Sequence, residues 1–175
     1  MAQLTSPLRE LLKKDVLFSW LPCHDEAFKA LKKAVTQAPL LATFDENTQI
    51  TIQSDTSDEG LGFTLMQKGR PILYRSRILT ETEKRYAHVE KEMFSIVEAC
   101  EKFHYFLYGQ KSIKVQTGHK PLLPIMHRSI NIIHNNRLQR MILKLLKHDL
   151  KLQYTPSNLT YVADALSNVQ IIFKR

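Results

Sequence analysis

Acids are scarce in this 175-residue chain outside helical surfaces, yet three of them, Asp55, Glu92 and Asp164, stand where strands or helices begin or end. Carboxylates that a fold gathers can hold a hard divalent cation or move a proton. Singly, each has a plainer account. Asp55 lies in "SDTSDEG", a stretch rich in turn formers. Asp164 suits the positive end of a helix. Glu92 and Glu90 flank the apolar stripe of one long helix about equally at ~100° per residue, so periodicity does not choose between them. A fourth place is marked by what it lacks. In "VQTGHKPL", Val115 to Leu122, a strand-like alternation ends in Gly118. Such a glycine either serves the backbone, through φ > 0 or a tight exit, or omits a side chain where chemistry would want one.

The elements that must position these residues follow from period and punctuation. The first twenty-two residues, ending in "FSWLP", form a lead-in with a short helical piece from Pro7 to Lys14. "CHDEAFKALKKAVTQAP" carries Ala27, Phe28, Leu31 and Val35 at helical spacing and is stopped by Pro39. From Gln49 the period becomes strand-like. "QITIQSDTS", "GLGFTLMQ" and "RPILYRSR", separated by short turns, predict an antiparallel meander with Asp55 at the end of its first strand. From about Thr82 to Leu107, Tyr86, Val89, Met93, Ile96, Val97, Cys100 and Phe103 form one helical stripe, closed by Gly109. Lys111 to Thr117 returns as a fourth strand, a short helical turn occupies Lys120 to His127, and another amphipathic helix begins near His134. "DLKLQYTP" supplies a fifth strand. "TYVADALSN" supplies a closing helix with Thr160 as its N-cap. The order is βββαβαβα after a helical preface, an α/β pattern; residues 1–45 read as lead-in and 46–170 as the domain proper.

Formal net charge is +8, and its placement matters more than its total. Between Lys111 and Gln153 nine Lys or Arg face one acid, Asp149, while the remaining sixteen bases and sixteen acids balance. Such segregation is the footprint of a polyanion partner, most simply nucleic acid, or else a solvated basic face. The helix near His134 sharpens it. Leu138, Met141, Ile142, Leu145 and Leu146 make the face expected to be buried, and Arg137, Arg140, Lys144 and Lys147 line the opposite one.

Several classes are excluded. Apolar runs are far too short for a membrane span. Two cysteines, Cys23 and Cys100, make no disulfide framework, and an intracellular, cytoplasmic or nuclear, setting with reduced thiols is expected. No zinc-ligand spacing and no phosphate-binding glycine loop is present. Tyr105, Phe106 and Tyr108 are expected to serve core and helix-end packing in preference to base stacking.

The stretch from "FDENTQITIQSDTSDEG" through "EKEMFSIVEACEKFHYFLYG" to "VQTGHKPL", followed by "RLQRMILKLLKHDLKLQYTPSNLTYVADALSN", resembles the ribonuclease H domain of gypsy-type LTR-retrotransposon reverse transcriptases. The resemblance covers roughly residues 15 to 168; the preface is similar to the stretch joining polymerase to ribonuclease H. It implies an RNase H-like α/β fold, a five-stranded mixed sheet of antiparallel meander plus parallel strands, flanked by helices. It also implies four catalytic carboxylates. The family's D-A-S motif matches "DTS" and Asp55, its E-K-E-L motif matches "EKEM" and selects Glu92 over Glu90, and A-D-A-L-S-R matches "ADALSN" and Asp164. T-D-H-K-P-L matches "TGHKPL", so Gly118 occupies the place of the third acid. The family's P-G-x-x-N also departs here, to Ser157 and Thr160, and its final Arg is Asn168.

By the resemblance, hydrolysis of RNA in an RNA/DNA hybrid would use two Mg²⁺, with Mn²⁺ as a substitute. Asp55 would bridge both ions, Asp164 would serve the attacking side, and Glu92 with the missing acid would serve the leaving side. A glycine offers no side-chain oxygen, so the expectation is a weakened or inactive enzyme that keeps its nucleic-acid surface: Lys120, Arg128, Arg137, Arg140, Lys144 and Lys147. Asp58, Glu90 or His119 could instead lean in and rebuild a working shell. A third alternative is a non-catalytic scaffold or protein-interaction module. A polymerase domain of the same polyprotein, or a host protein, is the partner each reading allows.

Overall fold

The computed structural model describes residues 2–36 and 41–156. Helices α1 (Ala2–Glu10) and α2 (Pro22–Thr36) precede strands β1 (Thr51–Thr56), β2 (Gly60–Gln67) and β3 (Arg70–Ile78). Helices α3 (Glu81–Lys84), α4 (His88–Lys102) and α5 (His104–Leu107) lead into β4 (Ile113–Thr117). Then α6 (Leu122–His127), a 3₁₀ turn, α7 (Asn136–Leu145) and β5 (Leu150–Tyr154) follow.

The five strands form one mixed sheet in the order β3-β2-β1-β4-β5, antiparallel across the meander and parallel from β1 through β4 to β5. The meander's second turn is two residues long because Lys68 and Gly69 both take positive φ, 50° and 72°, which matches the twist of the flanking strands. Parallel strands need crossovers, and the segment α3–α5 provides the one that returns the chain from β3 to β4. Ile52, Leu61, Phe63 and Leu65 bury their side chains against Met93, Ile96, Val97, Cys100 and Phe103 of the α3–α5 segment, with Phe63 and Phe103 edge to face at 5.6 Å. Leu138, Met141, Ile142 and Leu145 of α7 complete the same core.

The long stripe from Tyr86 to Phe103 is not one helix. Chain geometry breaks at Ala87, whose ψ of 151° is extended, and again at Phe103. The break has a local cause: the Glu90 carboxylate accepts a hydrogen bond from the Ala87 N–H at 2.9 Å and so starts a new helix there. The apolar period survives because every piece still faces the same sheet. The preface differs as well, since α1 ends at Glu10 and runs through Pro7, where a helix from Pro7 to Lys14 was expected. Leu146, expected in the buried face of α7, is 65% exposed because the helix closes there and turns toward β5. Tyr105 and Tyr108, expected to pack, are 90% and 78% exposed, and of that trio Phe106 alone packs against the core, edge to face with Phe44. Pro39 and the expected closing helix with Thr160 and Asp164 lie outside the described residues.

Candidate functional site

Two of the predicted acids meet at the carboxyl end of the central parallel pair. Register Ser54↔Thr117 sets Asp55, on β1, beside Gly118, the residue that follows β4. Helix α4 crosses the same end of the sheet, and its buried Ser95 hydroxyl donates to the Asp55 carbonyl oxygen at 3.4 Å. One turn earlier on that helix, Glu92 is buried, and one of its oxygens accepts from the Thr117 hydroxyl at 3.4 Å. Burial, and next the negative charge of Asp55, push the Glu92 carboxyl up to about 8; the Thr117 hydrogen bond works weakly the other way. A carboxyl in that condition is largely protonated at neutral pH until a positive charge joins it.

Gly118 does not take the positive φ that favours glycine. Among the described residues the glycines with positive φ are Gly69 and Gly109. Beside it, His119 and His88 stack edge to face at 4.8 Å, and His88 Nε2 lies 3.8 Å from the second oxygen of Glu92. Burial, then the neighbouring His88, holds the His119 imidazole below its usual range. His88 and Thr117 were not singled out in the sequence, although each carried a signal: His88 lies four residues before Glu92 on one helix, and Thr117 ends the inward-facing alternation Ile113, Val115, Thr117.

Two of the neighbours expected to be able to lean in, Asp58 and Glu90, have other partners. Lys91 Nζ holds the exposed Asp58 at 3.2 Å. Glu90 faces away from Asp55, toward the start of α7, where Asn135 Nδ2 donates to it at 2.8 Å and Arg137 at 2.9 Å. Burial opposes ionisation of Glu90, but these hydrogen bonds, the Ala87 N–H and the Arg137 charge together hold its carboxyl below the usual range. Among the described residues no three His, Cys, Asp or Glu side chains are set to hold a metal ion. Asp55 and Glu92 alone do not fit the donor set that a pair of Mg²⁺ requires, and Asp164 lies outside the described residues.

Of the predicted cationic surface, Lys120, Arg128, Arg140 and Lys147 are exposed. Lys120 also sits 4.7 Å above the Tyr154 ring. Arg137 and Lys144 differ: the first is bound to Glu90 and lies 4.0 Å over the Tyr86 ring, the second is paired with Glu101 at 2.9 Å. Among the described residues no helix is long and apolar enough to cross a membrane.

Comparison with known proteins agrees with this architecture. A family model described as "RNase H-like domain found in reverse transcriptase" matches residues 20–115. The Transposon Tf2-3 polyprotein of Schizosaccharomyces pombe is 30% identical over 174 residues, which is 96% of this chain and 13% of that protein. The Tf2-4 polyprotein of the same organism matches equally. The chain thus spans 13% of the length of these curated relatives. A foamy viral protease-reverse transcriptase solved in complex with RNA/DNA hybrid superposes with a TM-score of 0.72 at 16% identity, covering 100% of this chain and 24% of that one. LC11-RNase H1 in complex with RNA/DNA hybrid does so at 0.55 and 15%, covering 70% and 96%. At such identities the likeness speaks for the fold.

Proposed function

This chain belongs to the family of RNase H-like domains found in reverse transcriptases, and on that premise we propose that it is the nucleic-acid-binding RNase H-like domain of a gypsy-type retrotransposon polyprotein whose hydrolytic centre is weakened or silent. The observation that carries the reading is the register Ser54↔Thr117, which sets Gly118 beside Asp55 just past the end of the parallel pair: the place that resembles the family's third-acid position offers no side-chain oxygen. Support for the binding half comes from relatives and from surface charge. The foamy viral enzyme and LC11-RNase H1 were each solved with an RNA/DNA hybrid, and exposed Lys120, Arg128, Arg140 and Lys147 offer cations that follow phosphates without reading bases.

In this reading Mg²⁺, or Mn²⁺, would supply charge stabilisation and an activated water when bound. The chain's own residues have narrower duties. Asp55 and Glu92 would approach the cation, Thr117 orients one Glu92 oxygen, and Ser95 fixes the spacing between α4 and β1. No further step is assigned.

Cleavage of a labelled RNA/DNA hybrid in Mg²⁺ and in Mn²⁺, by this chain and by Gly118→Asp, tests the proposal. Weak or absent cleavage by the unaltered chain with tight hybrid binding supports it. Robust cleavage by the unaltered chain overturns the silent-centre half. Undetectable binding to hybrid at low salt overturns the other half and favours a scaffold role.

A further inference from the structure

The aromatic rings displaced from the core lie at the opposite end of the sheet from Asp55. A groove of about 350 Å³ runs between α5 and the turn joining α7 to β5, lined among others by His104, Tyr108, Lys147, His148 and Asp149. It sits before the first residues of β4 and β5, whereas Asp55 and Gly118 sit at the other end. Five strand residues separate the two, roughly 16 Å at ~3.3 Å per residue.

The groove carries the features of a stacking site. Its rings form a continuous run: His104 meets Tyr108 at 5.8 Å and His148 at 5.8 Å. Tyr108, the residue that ends α5, is 78% exposed, and Tyr105, on α5 itself, is 90% exposed. His148 Nε2 is buried and lacks a hydrogen-bond partner among the described residues. Charge is supplied by Lys147, two residues past the end of α7, the helix that carries Arg140 and Lys144. The one acid of the lining, Asp149, uses an oxygen to accept from the Ser112 N–H at 2.7 Å. Aromatic faces beside a cation along a basic track are what unpaired nucleotides bind, because every base has a face to stack and every step carries a phosphate.

We propose that this groove is an accessory site for single-stranded nucleic acid, in which an unpaired base stacks on Tyr108 and His104 while Lys147 meets the adjoining phosphate. It rests on the nucleic-acid-binding reading above and deepens it.

Fluorescence anisotropy on the 175-residue chain at low salt, with three labelled probes, decides it: a blunt RNA/DNA hybrid, the same hybrid with a thymidylate overhang of about six nucleotides, and the free oligonucleotide. The expected result is that the overhang tightens binding about five- to hundred-fold, that Tyr108→Ala removes the gain, and that Tyr108→Phe, which keeps a ring, retains it. Lys147→Gln should lower the salt slope for the overhang probe by about one. Both positions are exposed, so folding is not at stake, and unchanged melting temperatures verify that. Equal affinity for blunt and overhung probes overturns the inference while leaving hybrid binding intact, and points these rings to a protein partner instead. A gain that survives Tyr108→Ala overturns it too, since the strand is then held elsewhere. If no probe binds, this inference and the binding half of the proposed function fall together.

Discussion

One guanidinium nitrogen of Arg137 donates to both carboxylate oxygens of Glu90, at 2.9 Å each, and so ties the first turn of α7 to the first turn of α4. Glu90 is buried and Arg137 is 45% exposed, which makes the pair a latch at the rim of the core. Arg137→Ala leaves a buried carboxylate with fewer partners and is expected to destabilise the fold by about 1–3 kcal/mol, discounted from the cost of breaking a fully buried pair. Urea denaturation measures it, and Glu90→Gln combined with Arg137→Ala should cost less than the sum of the two.

Gly118→Asp places a carboxylate beside Asp55 and Glu92. If the glycine is what silences the centre, hybrid cleavage in Mg²⁺ should rise by at least about 10²-fold, the usual worth of one well-placed electrostatic group. Gly118→Asn, isosteric but neutral, should recover far less. Initial cleavage rates of the three proteins under matched conditions are the measurement.

Stability should depend on pH through Glu92. Its carboxyl titrates near 4.5 when unfolded and at about 8 when folded, so between these values the folded state holds one more proton. Stability is therefore greatest below the unfolded value and declines as pH rises toward the folded one. Glu92→Gln mimics the protonated acid and should remove that decline, exceeding the parent at pH 9 by on the order of 2–4 kcal/mol and matching it near pH 4. Thermal melts of both proteins across the range test it.

Cations on α7 should not contribute equally to hybrid binding. Lys144 is already paired with Glu101, whereas Arg140 is exposed and no ion pair is found for it among the described residues. Arg140→Ala is expected to reduce the salt slope by about one, and Lys144→Ala by less. Titrations of hybrid binding against salt concentration separate the two.

Much of the architecture was written locally. Alternating Ile50 and Ile52, the Lys68-Gly69 turn and the stripe from Val89 to Phe103 each declare an element, because a strand or a helix must show its period in the side chains it buries. The order of strands and helices followed from these. What local pattern could not show is where a helix is interrupted when its stripe continues: Tyr86 and Val89 keep one period across a break made by a Glu90 side chain. Nor could it tell a ring that packs from one that does not. Phe106 and Tyr108 are two residues apart near the end of the crossover segment, and only its docking on the sheet sends one inward and the other to solvent.

The candidate site divides in the same way. By itself the sequence determined which acids the chain owns, that a glycine stands at position 118, and that basic residues gather after Lys111, since these are properties of residue identity and order. Its periodicity left Glu90 and Glu92 indistinguishable, because both stand at the margins of one stripe, and the resemblance alone favoured Glu92. Tertiary structure gave the two opposite environments. Packing α4 against β1 and α7 aims Glu92 at Asp55, where burial and like charge oppose its ionisation, and aims Glu90 at Arg137, where a cation and three hydrogen-bond donors stabilise it. The environment of a charge is set by what the fold brings around it, and Glu90 and Arg137, 47 positions apart, become neighbours only when the chain has closed.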